Sequence, residues 1–587
     1  MKLLRTVAAL VALSFVSPAL AQWQTPNHSI PVGRGAGMTG FGNAAPGTSG
    51  LPLKSNGPAV DPSFGPITNN GIAPGPANTV KGTVDGVATS DLAIASCSAV
   101  YQFTQWVTGT GWQCGFTPVL PSRAVAATLN LSAFSAVRTL GYYTPGDGGA
   151  ATFQNVGSAA FTDTYIATAS VAGGSGYVNG SYVDVRFVGG TGKFCSVGAT
   201  VAGGLVATVS SVSPCNGYSV GDVLTAPNSV LGGSGSGFTY TVTSIGGPGA
   251  SFTSVGGTHW QYVPDGVPNA KQFGCKPDWN GNDATAFNNS PCLWSALAYV
   301  GGINGSTIGV AGFGGQLLVP KGAYMTCGAW NNTPYNFVVP QAVRFTGESI
   351  FGTTLKECTA DPGNTYYIEL CDPNVAGGQF GCKVEYMTLY GFTLPAASAG
   401  TAMIHSQSGQ QYALAEEVEV DAGKRGCVKY EVGIGGASND VWIGVNCVQS
   451  GTATNPGFSF NANTSQHIMD RSLCGSGPAG AAICIQNLSG RLIARDIDIE
   501  GYVIGLQQNV TISGLISSYK NIQEQAASCT AAIQLVNGNI PNNLIIENLS
   551  TGCPVTVQNN QPGGVNWASN VRGPMMCPGG ACTAAIP

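Results

Sequence analysis

Charged side chains make up only 9% of these 587 residues, so the places where carboxylates gather are the first to examine for chemistry. The densest is Arg495-Asp496-Ile497-Asp498-Ile499-Glu500. Successive side chains of a strand point to opposite faces, so if Ile497 and Ile499 turn inward, Asp496, Asp498 and Glu500 turn outward together. Alternate residues on one face lie roughly 6.5–7 Å apart, inside the window for a carboxylate pair that hydrolyses a glycosidic bond with inversion. Asp470-Arg471 stands one repeat earlier, and Asn439-Asp440 one before that. A lyase would need a base beside its carboxylates, and Arg471 and Arg495 are the candidates. Trp442 alternates outward with Asp440 if Val441 and Ile443 face inward, and would then stack on a sugar ring. A second cluster, Glu416-Glu417-Val418-Glu419-Val420-Asp421 followed by Lys424-Arg425, brings Glu417, Glu419 and Asp421 to one face by the same alternation. Either cluster can act as acid and base; no cofactor is required, and Ca²⁺ enters only if the chemistry is a lyase's. Outward carboxylates are also what a solvated strand face carries, and spacing alone does not separate the two readings.

These clusters need strands to hold them, and the second half of the chain supplies a ladder. One strand type recurs as Val384–Leu389, Ala415–Val420, Asp440–Val445, Gln466–Met469, Arg491–Ile493, Val510–Ile512 and Asn543–Ile546, at about 26 residues on average, a solenoid coil period. A second series interleaves, including Met403-Ile404, Val428-Lys429-Tyr430, Phe458-Ser459-Phe460 and Ile533-Gln534-Leu535. Two interleaved series imply at least two parallel sheets, with roughly nine or ten coils at about 4.8 Å each. Asn446, Asn461, Asn487, Asn509, Asn537 and Asn559 follow these strands, where asparagine tolerates a left-handed corner and its amide can ladder between coils. His405 and His467 fall on strands or their edges and read as hydrogen-bonded, partly buried histidines.

The ladder is introduced by Phe273-Gly274-Cys275-Lys276-Pro277-Asp278, then Asn282-Asp283-Ala284-Thr285-Ala286-Phe287 and Leu293-Trp294-Ser295-Ala296-Leu297, closing with Gly314-Gly315-Gln316-Leu317-Leu318-Val319-Pro320-Lys321-Gly322-Ala323-Tyr324. Asp283 can cap a helix whose Phe287, Leu293 and Leu297 seal an apolar end. This segment resembles the start of the pectate-lyase-like (rhamnogalacturonase/epimerase-type) right-handed parallel β-helix: Phe273, Gly274, Asp278, Asp283 and Ala286 keep that family's register, and Pro320, Gly322 and Tyr324 keep its strand. Departures are Pro277 and Trp279 at glycine positions, Ala284 at a threonine, and the interruption Asn288-Asn289-Ser290-Pro291-Cys292. The resemblance implies an all-β fold, a single-stranded parallel β-helix with a short N-terminal capping helix. It implies polysaccharide recognition, with paired carboxylates on the outer sheet face in its cleaving members. The Asn-Thr-Asp, Asp-Asp, Gly-His-Gly set of polygalacturonases has no match here.

Upstream, residues 1–21 read as a Sec-type signal peptide: Lys2 and Arg5, an apolar run from Val7 to Val16, then Ala19-Leu20-Ala21. Residues 22–90 are a Gly/Pro-rich arm expected to be flexible. Residues 91–120 read as a disulfide hairpin and 121–266 as a small β-module, whose Val137–Gly149 stretch resembles a tailspike module with His259–Gly266 as its expected last strand. An insert at about 163–250 interrupts it, in which Gly176-Tyr177 and Gly189-Gly190-Thr191-Gly192 recur as Gly217-Tyr218 and Gly232-Gly233-Ser234-Gly235. Such an aromatic-bearing β-unit is either a sugar-binding module or a structural spacer. The parallel β-helix follows over 267–570, and 571–587 form a tail with a short disulfide loop.

Removing Lys2 and Arg5 with the signal takes the formal net charge from −5 to −7, which argues against a nucleic-acid partner and for a neutral or basic ligand or an uncharged glycan. No later apolar run is long enough to span a bilayer. Eighteen cysteines in an exported chain read as disulfides between sequence neighbours: Cys97/Cys114, Cys195/Cys215, Cys275/Cys292, Cys327/Cys358, Cys371/Cys382, Cys427/Cys447, Cys474/Cys484, Cys529/Cys553 and Cys577/Cys582. Zinc is disfavoured, since no Cys-x-x-Cys occurs and the four histidines are scattered. The expected protein is secreted or on the cell surface, with a polysaccharide as partner. Three functions compete: a hydrolase or lyase of an extended glycan, a non-catalytic adhesin, and a prophage-derived tailspike, for which the resemblance implies a homotrimer. The signal and the cysteines speak against assembly in a reducing cytoplasm.

Overall fold

The computed structural model describes residues 118–560 apart from 193–194, 212–214, 216, 303–314, 330–334, 360–364, 372–378, 392–401, 408–409, 432–438, 450–454, 477–482, 509–516, 526–528, 537–543 and 555–556, together with Met575–Met576 and short strands before residue 118. The signal peptide and most of the arm lie outside the described residues. The chain divides into two units, Met1–Pro118 and Val119–Pro587. In the first, strands Thr104–Val107 and Gly111–Cys114 pair antiparallel with Trp106 opposite Trp112.

The second unit is dominated by strands stacked in parallel. Through one face the register runs Leu317, Phe345, Val384, Ala415, Trp442, Met469, Ala494, Tyr519 and Ile546, nine rungs in an unbroken column. Every member of that column is at most 1% exposed, which makes it a wall of the solenoid bore. A second face contributes Tyr324, Leu355, Leu389, Val420, Cys447, Cys474 and Ile499. A third contributes Phe337, Ile368, Ile404, Val428, Phe458, Ile485, Leu506 and Ile533. Burying period-two apolar strands on three sides of one bore is what stabilises a coil that has no core of its own.

From the third rung on, each coil turns between the first and second faces on one residue in the left-handed region: Tyr386, Glu417, Arg471, Asp496, Asn521 and Asn548, with φ between 48° and 55°, and Gly444 at 59°. Of the asparagines singled out from the sequence, Asn446, Asn461 and Asn487 do not turn this corner. Asn487 is buried and donates to Gln508 at 3.2 Å, and Asn446 is half-buried on the outer side of the second face; Asn509 and Asn537 lie outside the described residues. The corner does ladder, through Asn521 to Asp496 at 2.7 Å and Asn548 to Asn521 at 2.8 Å. A further ladder runs outside the third face, where Gln486, Gln507 and Gln534 each donate an amide to the glutamine on the next coil, ending at Gln558, over 2.8–2.9 Å.

The capping helix spans Ser290–Gly302 and covers the end of the bore with Leu293, Ala296 and Leu297, all fully buried. It begins later than the sequence suggests, because Asn288 and Asn289 start it: Asn288 accepts from the Ser290 amide, while Asn289 is buried and donates to the Lys276, Phe287 and Met325 carbonyls. Asp283 is not its cap, and Phe287 stays 36% exposed. At Gly322, with φ of 133°, a Cβ would lie 2.3 Å from that of Pro277, so the Pro-x-Gly-x-Tyr motif needs its glycine.

Before the helix, strands Ala151–Gly157 and His259–Val263 pair in a five-stranded sheet. The chain between them forms two three-stranded antiparallel sheets around their own core, in which the repeated Tyr177 and Tyr218 are both buried.

Seven of the nine expected disulfides are present: Cys195–Cys215, Cys275–Cys292, Cys327–Cys358, Cys371–Cys382, Cys427–Cys447, Cys474–Cys484 and Cys529–Cys553. The other two fall outside the described residues. Cys97 lies outside the described residues, and so does the side chain of Cys114, its expected partner. At the tail, Cys577 and Cys582, the pair expected to close a short loop, also lie outside the described residues. The density of the seven cross-links suits an oxidising, extracytoplasmic compartment. No described helix is long and apolar enough to cross a membrane.

Candidate functional site

The outer side of the second face carries two columns of side chains two residues apart on each strand. One runs Thr354, Thr388, Glu419, Asn446, Leu473, Asp498; the other runs Lys356, Tyr390, Asp421, Val448, Gly475, Glu500. Both sequence-level clusters therefore place a carboxylate pair in the same two columns, Glu419/Asp421 and Asp498/Glu500, three rungs or about 14 Å apart.

The two pairs differ in surroundings. Glu419 and Asp421 are half-buried, and burial pushes both carboxyls up. For Glu419 the Asn446 side chain opposes that shift and the charge of Asp421 adds to it. The charge of Asp421 thus favours the protonated form of Glu419, the direction in which acid–base chemistry separates the roles of two carboxyls. Tyr390 precedes Asp421 in its column; its hydroxyl is raised by burial and then by Asp421. Trp279 lies 5.8 Å from the Tyr390 ring, and its indole N–H donates to Asp283 at 2.8 Å. Asp283 also holds Lys356 at 2.7 Å and the Thr359 amide at 2.7 Å. The residue read as a helix cap thus fixes an aromatic wall beside the carboxylates. Asp498, in contrast, accepts from Gln525 at 3.0 Å, and Glu500 is exposed.

Alternation fails at the corner, and three candidates fall there. Asp496 sits at φ 55° and accepts from Asn521, so it does not share the strand face of Asp498 and Glu500. Glu417 and Arg471 also turn corners, and Arg471 reaches past Gly444 to Glu417 at 3.5 Å. Arg495 pairs with Asp470 at 3.0 Å on the outer side of the first face. Trp442 and Asp440 face inward: both are fully buried, with Val441 and Ile443 turned out. The bulk of Trp442 fits the bore because Ala415 occupies the rung before it. Asp440 accepts from the Ala413 amide at 3.1 Å, and burial raises its carboxyl well above the ordinary range. Neither residue is placed to touch a polymer outside. His467 is likewise in the bore, stacked on Phe460 at 5.0 Å, and burial depresses its imidazole to about 3.

A polar cluster on the third face escaped the strand-face reading. His405 is fully buried, bonded through Nδ1 to Glu369 and through Nε2 to Glu431 at 3.2 Å, with its ring stacked on Tyr366 at 3.7 Å. Tyr366 donates to Glu431 at 2.8 Å, and Lys429 pairs with the same carboxylate. Burial opposes the charged imidazole, but the charge and hydrogen bond of Glu369 outweigh it and raise His405; the bonds from His405 and Lys429 lower Glu431 to about 2. The second strand series held the signal, because aligning Ile404 with Val428 stacks His405 on Lys429. With each charge paired, the cluster is a brace and a poor base at neutral pH. Among the described residues one trio brings metal-type ligand atoms within 4.8 Å, Glu524 with Cys529 and Cys553, and both sulfurs are committed to a disulfide.

No protein-family model matches this chain, and no curated sequence does. Solved structures similar to it include the A-module of the mannuronan C-5 epimerase AlgE4 of Azotobacter vinelandii, at 12% identity and TM-score 0.25, over 54% of this chain and 99% of that one. Another is gp49, a tailspike and capsular polysaccharide depolymerase of the Acinetobacter baumannii bacteriophage Fri1, at 11% identity and TM-score 0.34, over 80% and 76%. A third is WceF of Pantoea stewartii, a glycan biofilm modifying enzyme with a tailspike-like parallel β-helix fold, at 10% identity and TM-score 0.31, over 78% and 51%.

Proposed function

We propose that the protein is an extracytoplasmic hydrolase of an extended glycan laid along the outer side of the second face. What carries the reading is the Glu419/Asp421 pair: two half-buried carboxyls, both raised, one holding up the other, beside a Trp279/Tyr390 wall. At two residues along a strand their separation is roughly 6.5–7 Å, which leaves room for a water between carboxylate and sugar. Glu419 gives its proton to the leaving glycosidic oxygen. Asp421 takes a proton from the water that attacks the anomeric carbon from the opposite side, so one C–O bond breaks as another forms with inversion.

The test is release of reducing ends from a panel of neutral and acidic polysaccharides, with ultraviolet absorbance followed for unsaturated products. Glu419→Gln and Asp421→Asn should each lower the rate by about 10²- to 10⁴-fold, while Asp498→Asn should not. Cleavage surviving both substitutions would remove the pair from the mechanism, and unsaturated products would make the enzyme a lyase. Retained binding with no cleavage by the parent would make the protein an adhesin.

A further inference from the structure

A pocket of about 400 Å³ opens where the inserted β-unit meets the capping helix, far in sequence from the carboxylate pair. That volume is within the range of about 300–1,000 Å³ usual for small-molecule sites. Tyr165 and Tyr240 line it from the insert and Trp294 from the helix, with Thr168 at its rim. No Asp, Glu, Lys, Arg or His is among its lining residues.

The aromatic walls are set in place by their neighbours. Tyr165 and Trp294 meet edge to face, 5.9 Å apart at 89°. The Trp294 indole donates to the Asn336 carbonyl at 2.8 Å, which fixes its ring to the first coils. The tip of Tyr165 lies over Gly246, where a Cβ would come within 2.1 Å of the ring. At the rim the strand carrying Thr168 is bulged, its pairing register shifting on either side of that residue. The bulge brings the Thr168 hydroxyl to 2.7 Å from Thr243 and 2.6 Å from Ser244. Bulges of this kind re-aim side chains beside binding sites.

We propose that this pocket binds one ring of a neutral saccharide. Rings set at right angles offer a face for the apolar C–H side of a pyranose, the hydroxyl trio offers both donors and acceptors, and the uncharged lining gives nothing to an anionic sugar. The apolar core of the insert includes neither Tyr165 nor Trp294, so their contact lies outside that core. The site does not depend on the acid–base reading.

Maltohexaose, cellohexaose and hexa-N-acetylchitohexaose, with hexagalacturonate as the anionic comparator, would be titrated by calorimetry into the full chain carrying Glu419→Gln/Asp421→Asn, so that cleavage cannot obscure binding. At least one neutral probe should bind with Kd at or below about 1 mM, and hexagalacturonate should not. Trp294→Ala should weaken binding about tenfold or more. Thr168→Arg, an exposed rim substitution that removes no packed side chain, should do the same with an unchanged circular dichroism spectrum. Binding of no neutral probe, or binding unaltered by Thr168→Arg, would overturn the assignment and leave Glu419 and Asp421 untouched by the result.

Discussion

Arg425 and Glu357 form an ion pair inside the bore, Nη1 to Oε2 at 2.6 Å, with side chains 1% and 0% exposed. The guanidinium extends along the bore past Met403, whose sulfur lies 3.8 Å away, to a carboxylate 68 residues earlier. Replacing Arg425 by Met leaves the Glu357 carboxylate buried with that guanidinium gone, and breaking such a pair costs about 3–5 kcal/mol. Replacing both, as Glu357→Leu/Arg425→Met, removes both desolvation penalties and should return stability to within about 1–2 kcal/mol of the parent. Because a stacked-coil array need not unfold in one step, local opening is the quantity to read, by native-state amide hydrogen exchange. The informative amides are Cys358, bonded to the Thr326 carbonyl at 2.8 Å, and Cys427, bonded to Gly457 at 2.8 Å. Arg425→Met should cut their protection by roughly 150- to 5,000-fold, from those same 3–5 kcal/mol. The amides of Ile533 and Leu535, several coils away, should barely move. A loss below tenfold in the single variant, or no recovery in the double, would refute the view that this pair clamps two coils across the one between them.

Stability should depend on pH from two sides of the His405 cluster. His405 is raised in the fold, so its contribution is complete below about pH 6.5 and is lost as pH rises through its folded value. Glu431 is lowered to about 2, so its contribution is complete above the ordinary carboxylate range and is lost as pH falls toward that value; with 34% of its side chain exposed, we expect only about 1 kcal/mol from it. Urea midpoints between pH 3 and 9 should flatten on the alkaline limb in His405→Gln and on the acid limb in Glu431→Gln, and superimposable profiles would count against the brace. At the corner, Asn521 holds φ 54° and bonds both neighbouring rungs, so Asn521→Ala should cost about 1–2 kcal/mol and Asn521→Gly clearly less, as measured by urea denaturation.

Much of this architecture was legible because its signals are local. The Phe273–Tyr324 lead-in and seven cysteine pairs each sit within a few tens of residues and are found where their spacing implied; in the strand series Val510–Ile512 lies outside the described residues, and Ser517–Glu524 is the strand described at that rung. The site was harder to read because one left-handed residue per coil breaks the period of two, which removed Asp496 and Glu417 from the faces that alternation gave them. Val441-Trp442-Ile443 has no alternation to read at all, and only its cross-coil neighbours Ala415 and Met469 decide that the tryptophan goes in. Asp283, whose place in the sequence suggested a helix cap, serves Trp279 and Lys356 rather than a helix end. The partners of His405 lie on other coils, out of reach of any local pattern.

The bore is regular in backbone and irregular in volume. Along the first column small and large side chains succeed one another, Ala415 before Trp442 and Ala494 before Tyr519, so each coil is shaped to one predecessor and one successor. Excising the coil that carries Ala415 would set the indole directly on Val384, and duplicating it would stack alanine on alanine and leave a gap beneath the indole. Coil order is therefore written in side-chain size. Although the repeats look interchangeable in their strands, lengthening or shortening this rod by one coil would require matched changes on both sides of the join.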